Sequence, residues 1–240
     1  MTNFIDESGI WVELRSTIDN SIFKGAPALF LDRDGTIVEE VLYLHRPEEM
    51  ILEIGAAYTI RKANSAGIPV ITANTDDPEG AAGSNRLAYV GQDLEAAGYE
   101  LTQNLSKMFP DGDIHVLIGV ADMNQSWAYT RGNGIARFME DYKAANPDRK
   151  VTYEKIESGL DLSTVGNRVA AYVQANPNTT AYLDVGFWEA GAAAAVRNLG
   201  YKPGEILLAG FDLVDVVFEE MDKGYVQLTV DQQPYYQGYM

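Results

Sequence analysis

Asp32-Arg33-Asp34-Gly35-Thr36-Ile37 follows the apolar run Pro27-Ala28-Leu29-Phe30-Leu31. That run reads as a buried strand, so two carboxylates stand two residues apart at a strand end. A carboxylate in such a place can attack a phosphate if a cation offsets the repulsion between two anions. Gly35 permits the sharp turn that would expose both acids. The plain alternative is an acidic turn with no chemistry. Asp184 closes the strand read at 180–184, and Asp212 stands past the strand read at 206–209. The chain has no Cys, and its two His are His45 and His115. Disulfides, zinc fingers, thiol catalysis and multi-His metal sites are therefore excluded.

The elements that must carry these residues follow a regular rhythm. Residues 53–66 read as a helix stopped by Gly67, and 68–72 as a buried strand. Residues 87–90 give a further strand and 93–108 a helix. The cluster Pro110-Asp111-Gly112 marks a turn and a crossing point between domains. Strands are predicted at 114–118, 151–156, 180–184, 206–209 and 226–230, and helices at 127–145, 163–175, 188–199 and 214–223. Strands alternating with helices mean βαβ units and a mostly parallel sheet covered on both faces. Ligands of such sheets sit outside the carboxyl ends of the strands. Residues 1–25 are less regular, but Ile10, Val12 and Leu14 alternate as a short strand would.

The 240 residues fit one large domain or two small ones. Asp and Glu number 35 against 18 Lys and Arg, a net charge of −17. So acidic a surface repels phosphate backbones and anionic membranes. No apolar run approaches the ~18 residues that span a bilayer. The start, Met1-Thr2-Asn3-Phe4-Ile5-Asp6-Glu7, lacks the basic and apolar regions of a signal peptide, which predicts a cytoplasmic chain.

Leu31-Asp32-Arg33-Asp34-Gly35-Thr36-Ile37 resembles the first motif of the haloacid dehalogenase-like phosphohydrolases, in the branch that cleaves histidinol phosphate and heptose bisphosphate. The resemblance implies Asp32 as nucleophile, Asp34 as general acid/base, and Mg²⁺ held by Asp32 and the backbone of Asp34. The family's other parts do not follow. Its next strand ends in Thr-Asn-Gln, where this chain has Asn74 and Thr75 in reversed order. A phosphate-binding Lys at a strand–helix junction is missing. Gly210-Phe211-Asp212-Leu213-Val214-Asp215 resembles the late acidic motif only loosely.

From residue 66 onward the chain is similar to type I periplasmic sugar-binding proteins of ABC importers. The segments that carry this are Ala66-Gly67-Ile68-Pro69-Val70-Ile71-Thr72-Ala73-Asn74-Thr75-Asp76, Tyr89-Val90-Gly91-Gln92-Asp93, Arg131-Gly132-Asn133-Gly134, Ala209-Gly210-Phe211-Asp212, and Gly224-Tyr225-Val226-Gln227-Leu228-Thr229-Val230-Asp231-Gln232-Gln233-Pro234. The resemblance implies Asn74, Arg131, Asp212 and Gln232 as sugar ligands, with Asp184 a weaker match. Planar Asp, Asn, Arg and Gln side chains suit fans of hydroxyls, which they bind in pairs. Trp127 and Trp188 are candidates to stack on the sugar's C–H face. The bland alternatives are a packing role for the two Trp, a solvated charge at Arg131, and helix caps at Asn74 and Asp212.

Together the two resemblances read as a splice of two families, natural or engineered, at the shared Ala66-Gly67-Ile68-Pro69-Val70 segment. The expected fold is α/β, with two Rossmann-like or flavodoxin-like parallel-sheet lobes. Residues 1–108 form a hybrid, incomplete lobe (1–65 phosphohydrolase-like, 66–108 binding-protein-like), and 109–240 the complete one. The expected function is that of a chimera with no established native activity that retains a partial sugar cleft. A competent sugar-binding protein and a Mg²⁺-dependent phosphatase are the alternatives. No cofactor is required, Mg²⁺ at Asp32 and Asp34 aside. The expected partners are a small sugar and a second copy of the chain, joined through an open sheet edge in the N-terminal region.

Overall fold

The computed structural model describes residues 2–5, 11–14, 56–74 and 88–239. The chain divides into two compact units, residues 1–92 with 233–240, and residues 93–232.

In the first unit the described elements are β1 (Thr2–Ile5), β2 (Trp11–Leu14), α1 (Ala56–Ser65), β3 (Ile71–Ala73) and β4 (Ala88–Gly91), with α7 (Pro234–Tyr239) at the end of the chain. The strand order is β1-β2-β4-β3. β3 runs parallel to β4, as the βα rhythm predicts, with Thr72 opposite Tyr89. β1 and β2 pair antiparallel to each other, and β2 pairs antiparallel to β4, with Val12 opposite Val90. The sheet is therefore mixed rather than parallel throughout. The edge of β4 expected to stand open is filled by the segment whose apolar residues alternate at 10, 12 and 14, because backbone N–H and C=O groups along a strand need partners. The expected strand 28–32, Asp32 and Asp34 lie outside the described residues. So does most of the N-terminal region on which the expected homodimer rests.

The second unit holds α2 (Leu94–Leu105), β5 (Ile114–Val120), α3 (Ser126–Ala145), β6 (Val151–Glu157), α4 (Leu162–Ala175), β7 (Ala181–Asp184), α5 (Glu189–Asn198), β8 (Leu207–Phe211), α6 (Asp215–Asp222) and β9 (Leu228–Val230). Its five strands are parallel throughout, in the order β6-β5-β7-β8-β9. Counted within the unit this is 2-1-3-4-5, the doubly wound order whose ligand crevice opens where the chain reverses direction across the sheet, between β5 and β7. Val116, Leu117, Ile118, Ala181, Leu183, Leu208 and Ala209 fill the sheet's centre and are fully buried. Strands buried on both faces read as unbroken apolar runs, which is why they were legible.

α2 belongs to this second unit, one helix earlier than the boundary expected after residue 108. The reason is its seat on α3. Asp93 caps it by accepting from the Ala96 N–H at 2.9 Å, a contribution of about 1 kcal/mol. A Cβ at Gly98 would run into the Arg131 carbonyl oxygen, and a Cβ at Gly134 into that of Glu95. The two helices thus touch backbone to backbone at two points. α4 and α5 meet in the same way, with Gly191 against the Leu162 carbonyl.

Gly134→Ala should therefore destabilise the second unit by at least ~2 kcal/mol, since the added methyl meets rigid backbone rather than a movable side chain. Lys143→Ala, on an exposed position of the same helix, should stay within about 0.5 kcal/mol of the parent. Urea midpoints of the two variants, compared at equal slope, check both values.

Candidate functional site

α3 follows β5 directly, and its second turn brings Arg131 inward. The residue is 3% exposed. A buried guanidinium requires acceptors for its fixed fork of donors. Nη1 donates to the Val185 carbonyl at 2.9 Å, just past the end of β7. Nη2 donates to Gln232 Oε1 at 2.7 Å, two residues past β9. Gln232 Nε2 in turn donates to Asp212 Oδ1, one residue past β8. Three strand ends are thereby joined through one cation, one amide and one carboxylate.

Asp212 takes its place through an unusual backbone. Its φ is +76°, in the left-handed region that Asp tolerates better than most residues. Its N–H donates to the Val230 carbonyl at 2.9 Å, and its own carbonyl accepts from Thr229 Oγ1 at 2.9 Å. The turn is thus tied to β9 on both sides, and the carboxylate is left facing Gln232.

Aromatic rings frame the guanidinium. Its Cζ lies 4.2 Å from the Phe211 ring centre and 5.6 Å from that of Trp127. Trp127 and Trp188 have ring centres 6.4 Å apart, and Trp188 stacks on Phe187 at 5.0 Å. Trp127 Nε1 donates to Gln125 Oε1. The two expected stacking residues thus lie together beside Arg131. Phe211 had not been singled out. The strand 206–209 was read as ending before it, whereas β8 continues through Phe211. The unbroken apolar run up to Asp212 was the signal.

Asp184 stands apart from this chain of bonds. It is fully buried, with Oδ2 accepting from the Tyr182 hydroxyl and Oδ1 from the Gly186 N–H at 2.9 Å. Burial pushes its carboxyl up to about 7, against the pull of the bonds from Tyr182 and Gly186. Burial and the neighbouring Asp184 also push the Tyr182 hydroxyl well up. Both Asp184 oxygens are spent on the protein itself, as strand-end acids that fasten a turn often are. Glu189, at the first turn of α5, is equally buried and was not foreseen as anything but a helix residue.

Asn74 belongs to the first unit. It ends β3 with φ +69°, its N–H donating to the Val90 carbonyl at 3.0 Å and its carbonyl accepting from the Tyr89 hydroxyl at 2.9 Å. No cluster of three or more His, Asp or Glu able to hold a metal occurs among the described residues. No described helix is long and apolar enough to cross a membrane.

Comparison with known proteins bears on the fold and the family. The chain is 29% identical over 192 residues to a xylose/arabinose-binding protein of Sulfolobus acidocaldarius, covering 74% of this chain and 45% of that protein. It thus spans about half the length of that relative. A solved periplasmic solute-binding protein of Actinobacillus succinogenes with bound D-allose superposes with a TM-score of 0.64 at 26% identity, over 77% of this chain and 64% of that one. A shorter likeness is to a heptose-1,7-bisphosphate 7-phosphatase of Mesorhizobium japonicum, 43% identical over 68 residues, which is 28% of this chain and 30% of that enzyme. Residues 55–240 match the family described as periplasmic binding protein domain, and with three-quarters of its length inside that match the chain belongs to this family.

Proposed function

We propose that the chain binds a small sugar at the carboxyl ends of β7, β8 and β9. The observation that carries the reading is the hydrogen-bonded run from the buried Arg131 through the half-buried Gln232 to the half-buried Asp212. A sugar hydroxyl both donates and accepts. Two adjacent hydroxyls can accept from the guanidinium and donate to the carboxylate, so they can exchange places with the amide that now spans the two. Trp127, which is only partly buried, offers an apolar face to the ring's C–H groups, while the buried Phe211 and Trp188 back the guanidinium and Trp127. The relative that binds xylose and arabinose favours a pentose.

A second reading concerns the start of the chain. The Asp32-Arg33-Asp34-Gly35-Thr36 motif precedes residue 55, where the family match begins. The 68-residue likeness to a phosphatase supports a phosphohydrolase ancestry for residues 1–65. We propose that the chain is a chimera in this sense, with a sugar cleft retained and hydrolysis lost. Asp32 and Asp34 would hold Mg²⁺, but a charge-bearing partner for the phosphate is missing. Each such partner is worth on the order of 10²-fold in rate.

Isothermal titration with D-xylose, L-arabinose and D-allose should give saturable heat with at least one of them. Arg131→Lys, which cannot reproduce the fork to Val185 and Gln232, should weaken that affinity by about tenfold or more. Absence of binding across a broader pentose and hexose panel would overturn the reading. Phosphate release from a sugar phosphate in Mg²⁺ should stay at the level of the Asp32→Asn variant. A rate that disappears in that variant would show that the catalytic machinery survives.

A further inference from the structure

Glu189 is 0% exposed, and neither of its carboxyl oxygens has a hydrogen-bond partner. Its carboxyl lies against the α-carbon of Gly210 in β8, where a Cβ would collide with Oε2. Gly210 is two residues before Asp212. On β7, the neighbouring strand, stands Asp184, also 0% exposed. Two carboxyls are therefore buried in the interior, one at the end of β7 and one in the first turn of the helix that follows it.

Among the described residues the surrounding elements supply no countercharge. From β7 the facing groups are Asp184 and Tyr182, and from the end of β8 Asp212; each of the three adds negative charge or none. Arg131 of α3 is directed at the Val185 carbonyl and Gln232. On α4, Arg168 donates to the Glu157 carbonyl. Towards α6, Arg197 and Lys223 both pair with Glu220. A buried carboxylate with no cation beside it, and for Glu189 no donor nearby but its own backbone N–H, is costly, and two such acids are not both ionised.

We infer that Glu189 and Asp184 form a proton-holding carboxyl pair beneath the Arg131–Gln232–Asp212 chain, and that neutral Glu189 is a positioning residue for the Phe211–Asp212 turn. The physical balance agrees. Burial foremost, then the charges of Asp184 and Asp212, hold the Glu189 carboxyl well above the ordinary carboxylate range. Asp184 is held near 7, mainly by burial. Both shifts are upward, so the folded chain binds protons that the unfolded chain has released. The resulting stability is complete below the unfolded values near 4 and is lost as pH rises through about 7 and beyond. The consequence for ligand affinity rests on the sugar-binding reading: ionised Glu189 repels the Asp212 carboxylate and loosens its turn.

The test compares the full chain with Glu189→Gln and Glu189→Leu. Net charge alone makes an acidic protein less stable at high pH, so the informative quantity is the difference between variant and parent. The gap in thermal midpoint should shift in favour of Glu189→Gln by on the order of 5 °C between pH 5 and pH 8. Glu189→Leu, whatever its packing cost, should show the same pH-dependent shift. Infrared spectra at pH 7 should contain a carboxylic-acid C=O stretch that weakens in Glu189→Gln and keeps its Glu189 part in Asp184→Asn. A gap equal at both pH values in both variants, or no such band, would overturn the inference. In titrations with D-xylose and L-arabinose, the parent's Kd should rise several-fold from pH 6 to pH 8, and that ratio should fall toward one in Glu189→Gln. Equal pH ratios in the two proteins would overturn the link to the ligand chain. If neither sugar binds at either pH, the sugar-binding reading fails, and the thermal and infrared measurements still decide on the proton pair.

Discussion

A guanidinium buried against an aromatic ring must have its acceptors at fixed points, and the second unit depends on that requirement at Arg131. Its three supports, the Val185 carbonyl, Gln232 and Phe211, come from the ends of three different strands. They converge only if the sheet has its 2-1-3-4-5 order and the helix carrying Arg131 lies close. Gly132 permits that closeness, since a Cβ there would meet Val120 of β5, while the Arg131 carbonyl oxygen rests on Gly98 of α2. Arg131 thus fixes a helix crossing with its main chain and a cluster of strand ends with its side chain. The arrangement also explains why a cation can be buried in a protein whose net charge is −17. Asp212 balances it through one intervening amide, and the ring beneath shields it from water.

The two units were unequally legible, for physical reasons. Strands such as 114–118 and 206–209 are buried on both faces and announce themselves by composition, and their helices by period and by stops at Gly. Observed bounds differ from the predicted ones by a few residues, β8 being the case that mattered. The β1–β2 hairpin was only half readable. Its second strand shows alternation at 10, 12 and 14, but nothing local says that β4 is its partner or that the pairing is antiparallel, because long-range pairing is decided by which edge lacks a partner.

Within the site, Arg131, Gln232 and Asp212 were legible through their segments and lie together, with Trp127 and Trp188 beside them. Asp184 matched by position along a strand, yet its side chain is turned to Tyr182 and Gly186. A strand-end acid can serve a ligand or tie down its own turn, and residue type does not separate the two. Glu189 was illegible for a deeper reason. On a helical face among Ala and Gly it reads as an ordinary charged residue, and only its full burial and the close pass of Gly210 set it apart.

The aromatic frame around the guanidinium has an optical consequence. The chain has three tryptophans, and two of them, Trp127 and Trp188, stand 6.4 Å apart with their planes tilted by 32°. Indole transitions that near couple to each other, and a guanidinium over the face of one shifts its emission. Small displacements of the Arg131 side chain are thereby written into the protein's own near-ultraviolet dichroism and fluorescence. Occupancy of the cleft becomes visible without any added label, in a chain that offers no cysteine on which to place one.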